Sequence, residues 1–184
     1  MLTTAQYAAI KADIAANADM NTQPAGSAGT DAILALYNAQ STTDVWRTEV
    51  PIDAICDAID WSKYTMADSA DGTAIQTNRL LQIQTKQMNL QNMIQGRITL
   101  NASKANLRSG LRDAVVALPA GVGGAAVSVS GASGVLVLTA CTRKANRYEK
   151  LFASASATTG TVTANLLVLE GQLSSDDLQI ARES

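Results

Sequence analysis

The chain has 184 residues and a mass of 19.2 kDa, which is enough for one domain, or for one domain with an extension. Although 47% of its residues are hydrophobic, only 4% are aromatic and 16% are charged, so the core is thin and the surface is undercharged. The absence of histidine excludes Ser-His-Asp and Cys-His nucleophile systems and His-ligated metal sites, and a net charge of −2 excludes a basic footprint for nucleic acid.

The chain begins with a predicted amphipathic helix. Thr3 and Gln6 have the spacing of a capping box, and apolar residues recur at helical spacing behind them, so we expect a helix over 4–16. Residues 17–30 are small and polar and predict a loop. Thr30 can then cap a second helix, which we expect to end near residue 38.

Short elements follow as far as residue 73. The stretch 42–50 alternates weakly and can be extended. Pro51 suits the first turn of a helix, and an isoleucine stripe continues that helix to Trp61. Residues 62–73 predict a turn.

The longest helical pattern, 74–97, has an unusual polar face. An exposed helix face normally carries alternating Glu and Lys, whereas this one is rich in glutamine. A polar but uncharged face fits contact with a neighbouring chain, because little charge has to be desolvated. The alternative is a plain solvent face in a protein of low charge. The candidate contacts with a neighbouring subunit or another partner on this helix are Gln84, Gln87, Gln91 and Gln95.

A basic stripe marks the next predicted helix, over 103–118. Lys104, Arg108 and Arg112 are four residues apart, which places them on one helix face. Residues 119–134 contain no charge and consist almost entirely of Pro, Gly, Ala, Ser and Val. This stretch predicts a flexible connection, in which Val127–Ser130 can also form a small strand.

The last third of the chain predicts one more core helix and a peripheral segment. Apolar spacing extends over 134–153, and Arg143 and Arg147 make that helix basic. Residues 154–164 have the composition of a linker, and 165–184 end in a helical turn. The candidate contacts of this last segment are Leu166, Leu169, Leu173 and Leu178.

No motif in the chain meets the requirements of a catalytic or cofactor site. The glycine-rich stretch 120–124 lacks both the dinucleotide-binding spacing and a Walker lysine. Asp53 and Asp57 are one helical turn apart, but their position near a helix N-terminus favours a solvated face. Cys56 and Cys141 both lie in apolar segments and predict reduced core thiols. We therefore expect no enzyme activity, no cofactor and no metal.

The four arginines allow two interpretations. Arg108, Arg112, Arg143 and Arg147 can face the phosphates of DNA, or they can pair with carboxylates of the domain or of a partner subunit. No aromatic residues interleave with them and the chain is acidic, so specific readout of DNA is not expected.

The periodicity as a whole predicts a mainly α fold. We expect a small bundle of about five to six helices with extended loops, a C-terminal arm and the option of one short β-hairpin. Residues 1–153 form the predicted helical core and 154–184 the linker and arm. No apolar run approaches a membrane span, and the first residues lack a leader pattern, so we expect a product made and kept in the cytosol.

Four stretches of the chain together resemble the head–tail adaptor, or connector, proteins of the tailed-bacteriophage neck. The resemblance spans most of the chain and includes the positions of Trp46, Arg108 and Arg147. The stretches are Thr-Asp-Val-Trp-Arg-Thr (43–48), Asn-Ala-Ser-Lys-Ala-Asn-Leu-Arg-Ser-Gly-Leu (101–111), Arg-Lys-Ala-Asn-Arg-Tyr-Glu-Lys-Leu-Phe (143–152) and Glu-Gly-Gln-Leu-Ser-Ser-Asp-Asp-Leu (170–178).

This resemblance implies a mostly helical virion protein that is assembled in the host cytoplasm as a ring, commonly of about twelve copies. Such a ring binds the portal protein, with the segment 165–184 as an arm, contacts a tail or nozzle protein and lets DNA pass through its lumen with only transient contacts. Two alternatives stay open. One is another neck protein (a tail-completion or stopper protein) or a capsid decoration protein, and the other is a DNA-associated packaging or regulatory module.

Overall fold

Helices predominate in the structure, which is a computed structural model and describes residues 2–64, 74–115 and 132–183. Within these ranges the helices are α1 (Thr4–Ala16), α2 (Ala18–Asn21), α3 (Ser27–Asn38), α4 (Ile52–Asp57), α5 (Ala74–Ile94), α6 (Ala105–Val115), α7 (Ala132–Ala140), α8 (Arg147–Phe152) and α9 (Ser175–Glu183). The strands are β1 (Gln40–Trp46), β2 (Val50–Pro51), β3 (Thr99–Leu100), β4 (Thr142–Asn146), β5 (Ser156–Thr159) and β6 (Val162–Asn165), and Trp61–Tyr64 forms a 3-10 turn.

The fold is mixed α/β, so the prediction of a mainly α bundle with a C-terminal arm is wrong. Four strands form a mixed sheet in the order β4-β1-β6-β5. In this sheet β1 and β6 are parallel, with Val45 opposite Asn165. A second, antiparallel pair joins β2 to β3, with Val50 opposite Leu100.

The predicted linker 154–164 contains a β-hairpin instead. Thr158 and Thr159 precede Gly160, and 161–163 (Thr-Val-Thr) follow it, and β-branched residues of this kind favour a pleated strand. Gly160 has φ of +60°, a conformation that glycine adopts without steric cost. The hydroxyls of Thr158 and Thr163 lie 2.8 Å apart across the pair. The small strand that the sequence allowed over 127–130 lies outside the described residues.

The predicted helix over 134–153 is interrupted by strand β4. Asn146 caps α8: its side chain accepts a hydrogen bond from the Glu149 N–H at 2.7 Å, and a Glu149 carboxylate oxygen accepts from the Asn146 N–H at 3.1 Å. This is a capping box. Because an N-cap residue needs a non-helical backbone, the preceding helix cannot continue through Asn146.

Several other predicted elements are confirmed. Helix α1 begins after a Thr3–Gln6 capping box and has the predicted bounds. The stretch 42–50 contains most of β1, and the pattern over 74–97 forms α5. Helix α3 begins three residues earlier than its predicted cap, Thr30, and ends at Asn38.

The chain divides into two compact units. Unit 1 comprises Met1–Val45, Lys144–Ala155 and Asn165–Ser184, and unit 2 comprises Trp46–Arg143 and Ser156–Ala164. The core of unit 1 draws on α1, α2, α3, α8 and α9, so residues from the predicted arm are part of a core. The buried cluster consists of Tyr7, Ile10, Met20, Ile33, Tyr37, Tyr148, Leu173, Leu178 and Ala181.

Polar contacts fix the helices of unit 1 around that core. The Tyr7 hydroxyl donates to the Asp177 carboxylate at 2.7 Å. Gly29 of α3 is buried, and a Cβ at this position would lie 1.9 Å from the Pro24 carbonyl oxygen. The Arg182 guanidinium donates to the same carbonyl at 3.0 Å. The loop before α3 therefore tolerates no side chain at Gly29.

Unit 2 has its own core, between α5, α6, α7 and the 3-10 turn. The Tyr64 hydroxyl donates to the Ala114 carbonyl at 2.7 Å, and burial raises the pKa of Tyr64 to about 12. The larger buried apolar residues of this core are Trp46, Val50, Ile55, Ile59, Tyr64, Ile83, Leu90, Leu100, Leu111, Val115, Val137, Leu138 and Cys141.

Candidate interaction surface

Helix α5 has one buried face and one exposed face that is almost free of charge. Ile83 and Leu90, seven residues apart, are buried in unit 2. On the opposite side Leu81 is 54% exposed and Met88 61% exposed, also seven residues apart. Two large apolar side chains in line on a solvent-facing helix are unusual for a surface that stays uncovered.

Three of the four glutamines proposed as contacts lie on this exposed face. Gln84, Gln91 and Gln95 are exposed, and helical spacing places all three along one side of the line from Leu81 to Met88. Gln87 is half-buried, and its side-chain amide donates to the Tyr64 carbonyl at 3.4 Å. We call the set Leu81, Gln84, Thr85, Met88, Gln91, Asn92 and Gln95 the outer face of α5.

A groove of about 770 Å³ runs between α5 and α6, beside the outer face. Leu81, Met93 and Ala114 contribute apolar lining, and Gly110 also lines the groove, close to the Met93 side chain. A Cβ at Gly110 would meet the Met93 Sδ and Cε atoms at 3.1 Å. The remaining lining residues are Gln82, Thr85, Lys86, Asn89, Asn92 and Asp113.

The charged groups of this groove are Lys86 and Asp113. The Lys86 ammonium donates to the Asp113 backbone carbonyl, and burial lowers the pKa of Lys86. The Asp113 residue itself is exposed near the end of α6. The groove therefore has a mainly apolar lining, with the exposed Asp113 carboxylate and the half-buried Lys86 ammonium as its charged groups.

A projecting turn follows α5. Gly96 has φ of +71° and is exposed. Arg97 is exposed, and Ile98 is 88% exposed. The backbone of the turn is nevertheless fixed, because the Ile98 carbonyl accepts a hydrogen bond from the Ile52 N–H at 3.0 Å.

Arg108 lies inside unit 2 and not on a basic face. It is only 3% exposed, and its guanidinium carbon stands 4.6 Å from the centre of the Trp46 ring. Nη1 donates to the carbonyls of Ala102 at 2.7 Å and Ser103 at 2.8 Å, and Nε donates to the Thr159 hydroxyl at 3.0 Å. Burial lowers the pKa of Arg108, and the carbonyl and π-electron contacts stabilise its charge.

Arg147 is likewise engaged, within unit 1. Its Nε and Nη2 donate to the two Asp13 carboxylate oxygens at 3.1 and 2.9 Å, a bidentate pair. This hydrogen bonding raises the pKa of Arg147. Arg112 is exposed on α6, and Arg143 is half-buried on β4. The structure therefore does not bring the four arginines together on one face.

The leucines of the predicted arm fall into two groups. Leu173 and Leu178 are buried in the core of unit 1, and Leu166 and Leu169 are half-buried. The large apolar side chains that this segment exposes are Val168 and Ile180. Sequence reasoning also missed Leu81 and Ile98 as exposed residues. For Ile98 there was a signal, since Gly96 directly precedes it and marks a turn.

The thiol and carboxylate groups form no metal-binding cluster in the part of the chain that the structure describes. Both cysteines are free, with Cys141 buried and Cys56 half-buried. Burial raises the pKa of Cys141 to about 11, which suppresses the nucleophilic thiolate. Among the described residues, no group of three or more Cys, Asp or Glu side chains could hold a metal ion.

Comparison with known proteins adds no relative. The chain matches no protein-family model, and neither the curated proteins nor the solved structures contain a match. Over residues 2–64, 74–115 and 132–183, none of the helices has the length and apolar character needed to cross a membrane.

Proposed function

We propose that the protein is a non-enzymatic structural subunit of a tailed-phage virion, which assembles with copies of itself as a head–tail adaptor ring between the portal and the tail. The observation that carries this proposal is the outer face of α5. It exposes Leu81 and Met88 among uncharged polar side chains, the composition expected of a surface that a second protein covers at little desolvation cost.

The resemblance of four sequence stretches supplies the virion context of the proposal. The mostly helical fold that this resemblance implied is not found, so the fold is no argument for it. The second candidate is another neck protein, such as a tail-completion or stopper protein, or a capsid decoration protein. The DNA-associated module has lost support, because Arg108 and Arg147 are held within the protein.

The decisive experiment mixes the purified protein with portal rings encoded by the same genome and, separately, with tail tubes. Co-sedimentation with the portal, and a ring on the portal in electron micrographs, are expected for the adaptor. Binding to tail tubes alone would overturn the adaptor assignment in favour of the second candidate. Binding to neither would contradict both.

A pair of matched variants tests the role of α5. Gln84→Glu with Gln91→Glu places two charges on the outer face, and we expect weaker assembly because the charges must be desolvated. Gln172→Glu, an exposed position in unit 1, is the control and should assemble normally. Equal assembly of both variants would remove the outer face from the contact.

A further inference from the structure

The turn after α5 presents an isoleucine to solvent without any local reason to do so. Large apolar side chains are exposed singly on many proteins, but Ile98 is 88% exposed at the tip of a turn whose backbone is fixed by the Ile52–Ile98 hydrogen bond. Arg97, beside it, donates its backbone N–H to the Ile94 carbonyl at 3.2 Å, and its exposed side chain makes no hydrogen bond or ion pair to another described residue. We call Gly96–Ile98 the knob.

The same unit contains a recess of matching character. The α5–α6 groove has apolar lining from Leu81, Met93 and Ala114 and a volume of about 770 Å³. Of its two charged lining residues, Asp113 is exposed and opposite in sign to Arg97, and Lys86 is half-buried with its ammonium bound to the Asp113 backbone carbonyl. An apolar side chain with a cation next to it therefore complements the apolar lining of this groove and its exposed Asp113 carboxylate.

We infer that the knob of one copy docks into the α5–α6 groove of the next copy, with Ile98 against Leu81, Met93 and Ala114 and Arg97 near Asp113. The inference rests on the proposed assembly of copies and names the surfaces that meet. Knob and groove are different patches of the same unit, so the contact is heterologous. Heterologous contacts can repeat from copy to copy, and they close into a ring when the rotation allows.

The first test mixes two variants that each lack one half of the contact. Ile98→Asp removes the knob, and Thr85→Trp fills the groove from an exposed lining position. Each variant alone should sediment as a monomer. Their mixture should form a one-to-one dimer that grows no further, because one intact knob and one intact groove remain. An interface made of the same patch on both copies would not give this result.

Matched controls separate docking from damage to the fold. Val168→Asp places a charge on an exposed apolar residue of unit 1, and Ala105→Trp places the same bulk on α6 away from the groove. Both should assemble like the wild type. The Ile98→Asp variant should weaken association by roughly tenfold or more, since an isoleucine no longer loses contact with water on docking.

A charge exchange tests the polar half. Arg97→Glu alone and Asp113→Arg alone should each weaken assembly, and the double variant should restore it, because every contact then again joins opposite charges. Failure of the double variant to recover would remove Arg97 and Asp113 from the contact.

Two outcomes overturn the inference. One is a mixture of Ile98→Asp and Thr85→Trp that stays monomeric while the wild type assembles, and the other is a wild type that stays monomeric up to about 1 mM, where even weak contacts are populated. The proposed function fails by a different result, the absence of binding to portal and tail. The two failures are therefore distinguishable.

Discussion

Replacing Arg108 by alanine should destabilise the protein strongly without affecting any exposed surface. The side chain is buried over Trp46 and donates hydrogen bonds to the carbonyls of Ala102 and Ser103 and to the Thr159 hydroxyl. Alanine leaves those acceptors without their donor and leaves the face of the indole ring without its cation.

The magnitude follows from these contacts. Each buried carbonyl left without a partner costs about 1–3 kcal/mol, and the desolvated cation–π contact contributes about 2 kcal/mol. Removing the buried guanidinium also removes the cost of its desolvation, so the net destabilisation is smaller than the sum of the lost contacts. We expect a net loss of about 3 kcal/mol in the free energy of unfolding, out of about 5–15 kcal/mol for a typical domain.

Urea unfolding followed by tryptophan fluorescence measures this loss, with Arg112→Ala as the exposed control on the same helix. The control should change the unfolding free energy by less than about 0.5 kcal/mol. The melting temperature of Arg108→Ala should fall by roughly 6–12 °C. If Arg108→Ala unfolds like Arg112→Ala, the buried arginine does not stabilise unit 2 and the reasoning is refuted.

Three further predictions concern backbone space, thiol reactivity and acid stability. Gly29→Ala should lower the unfolding free energy by about 1–3 kcal/mol, because the new Cβ would clash with the Pro24 carbonyl oxygen. Urea titration measures this loss, and unchanged stability would contradict the close approach. At pH 8 iodoacetamide should modify half-buried Cys56 faster than Cys141, whose pKa is raised to about 11 by burial; peptide mass spectrometry gives both rates, and equal rates would show that burial does not protect Cys141. The Tyr7 hydrogen bond lowers the pKa of Asp177 below 3.8, so its contribution to stability is present above about pH 4 and is lost as the pH falls through the lowered value. Asp177→Asn should therefore lose less stability than the wild type between pH 5 and pH 2 in urea titrations, and an identical pH dependence would exclude this carboxylate.

Helices α1 and α5 were predicted correctly because short-range sequence patterns determine them. The Thr3–Gln6 capping box defined the start of α1, and long apolar periodicity defined α5. The break at Asn146 carried a signal too, since Asn146 and Glu149 have capping-box spacing. Apolar residues over 134–153 nevertheless recur at helical spacing, because several short elements in succession can give the spacing of one continuous helix. The predicted helix therefore ran through this capping box.

The position of Arg108 could not be predicted from its own helix. Lys104, Arg108 and Arg112 share a spacing that indicates a solvent face, yet α6 buries Arg108 together with Leu111 and Val115. The groups that contact its guanidinium are distant in sequence. They include the ring of Trp46 and the hydroxyl of Thr159. Tertiary partners of this kind decide burial, and periodicity does not report them.

The knob and groove were outside the reach of sequence reasoning for the same reason. The groove is lined by residues of both α5 and α6, so it depends on how the two helices pack, and exposure of Ile98 depends on the turn at Gly96. The glutamine pattern did indicate an unusual face on α5. Whether neighbouring copies cover it stays a prediction.

The way unit 1 is built from three segments sets the order in which it can form during translation. Its first helix donates a hydrogen bond from Tyr7 to Asp177, 170 positions away, and its core includes Leu178. A ribosome releases α1 and α3 long before α9 has been synthesised, so the unit that begins first is completed last. Until then Ile10 and Ile33 lack part of their cover, and the nascent chain exposes an apolar surface that a chaperone can bind.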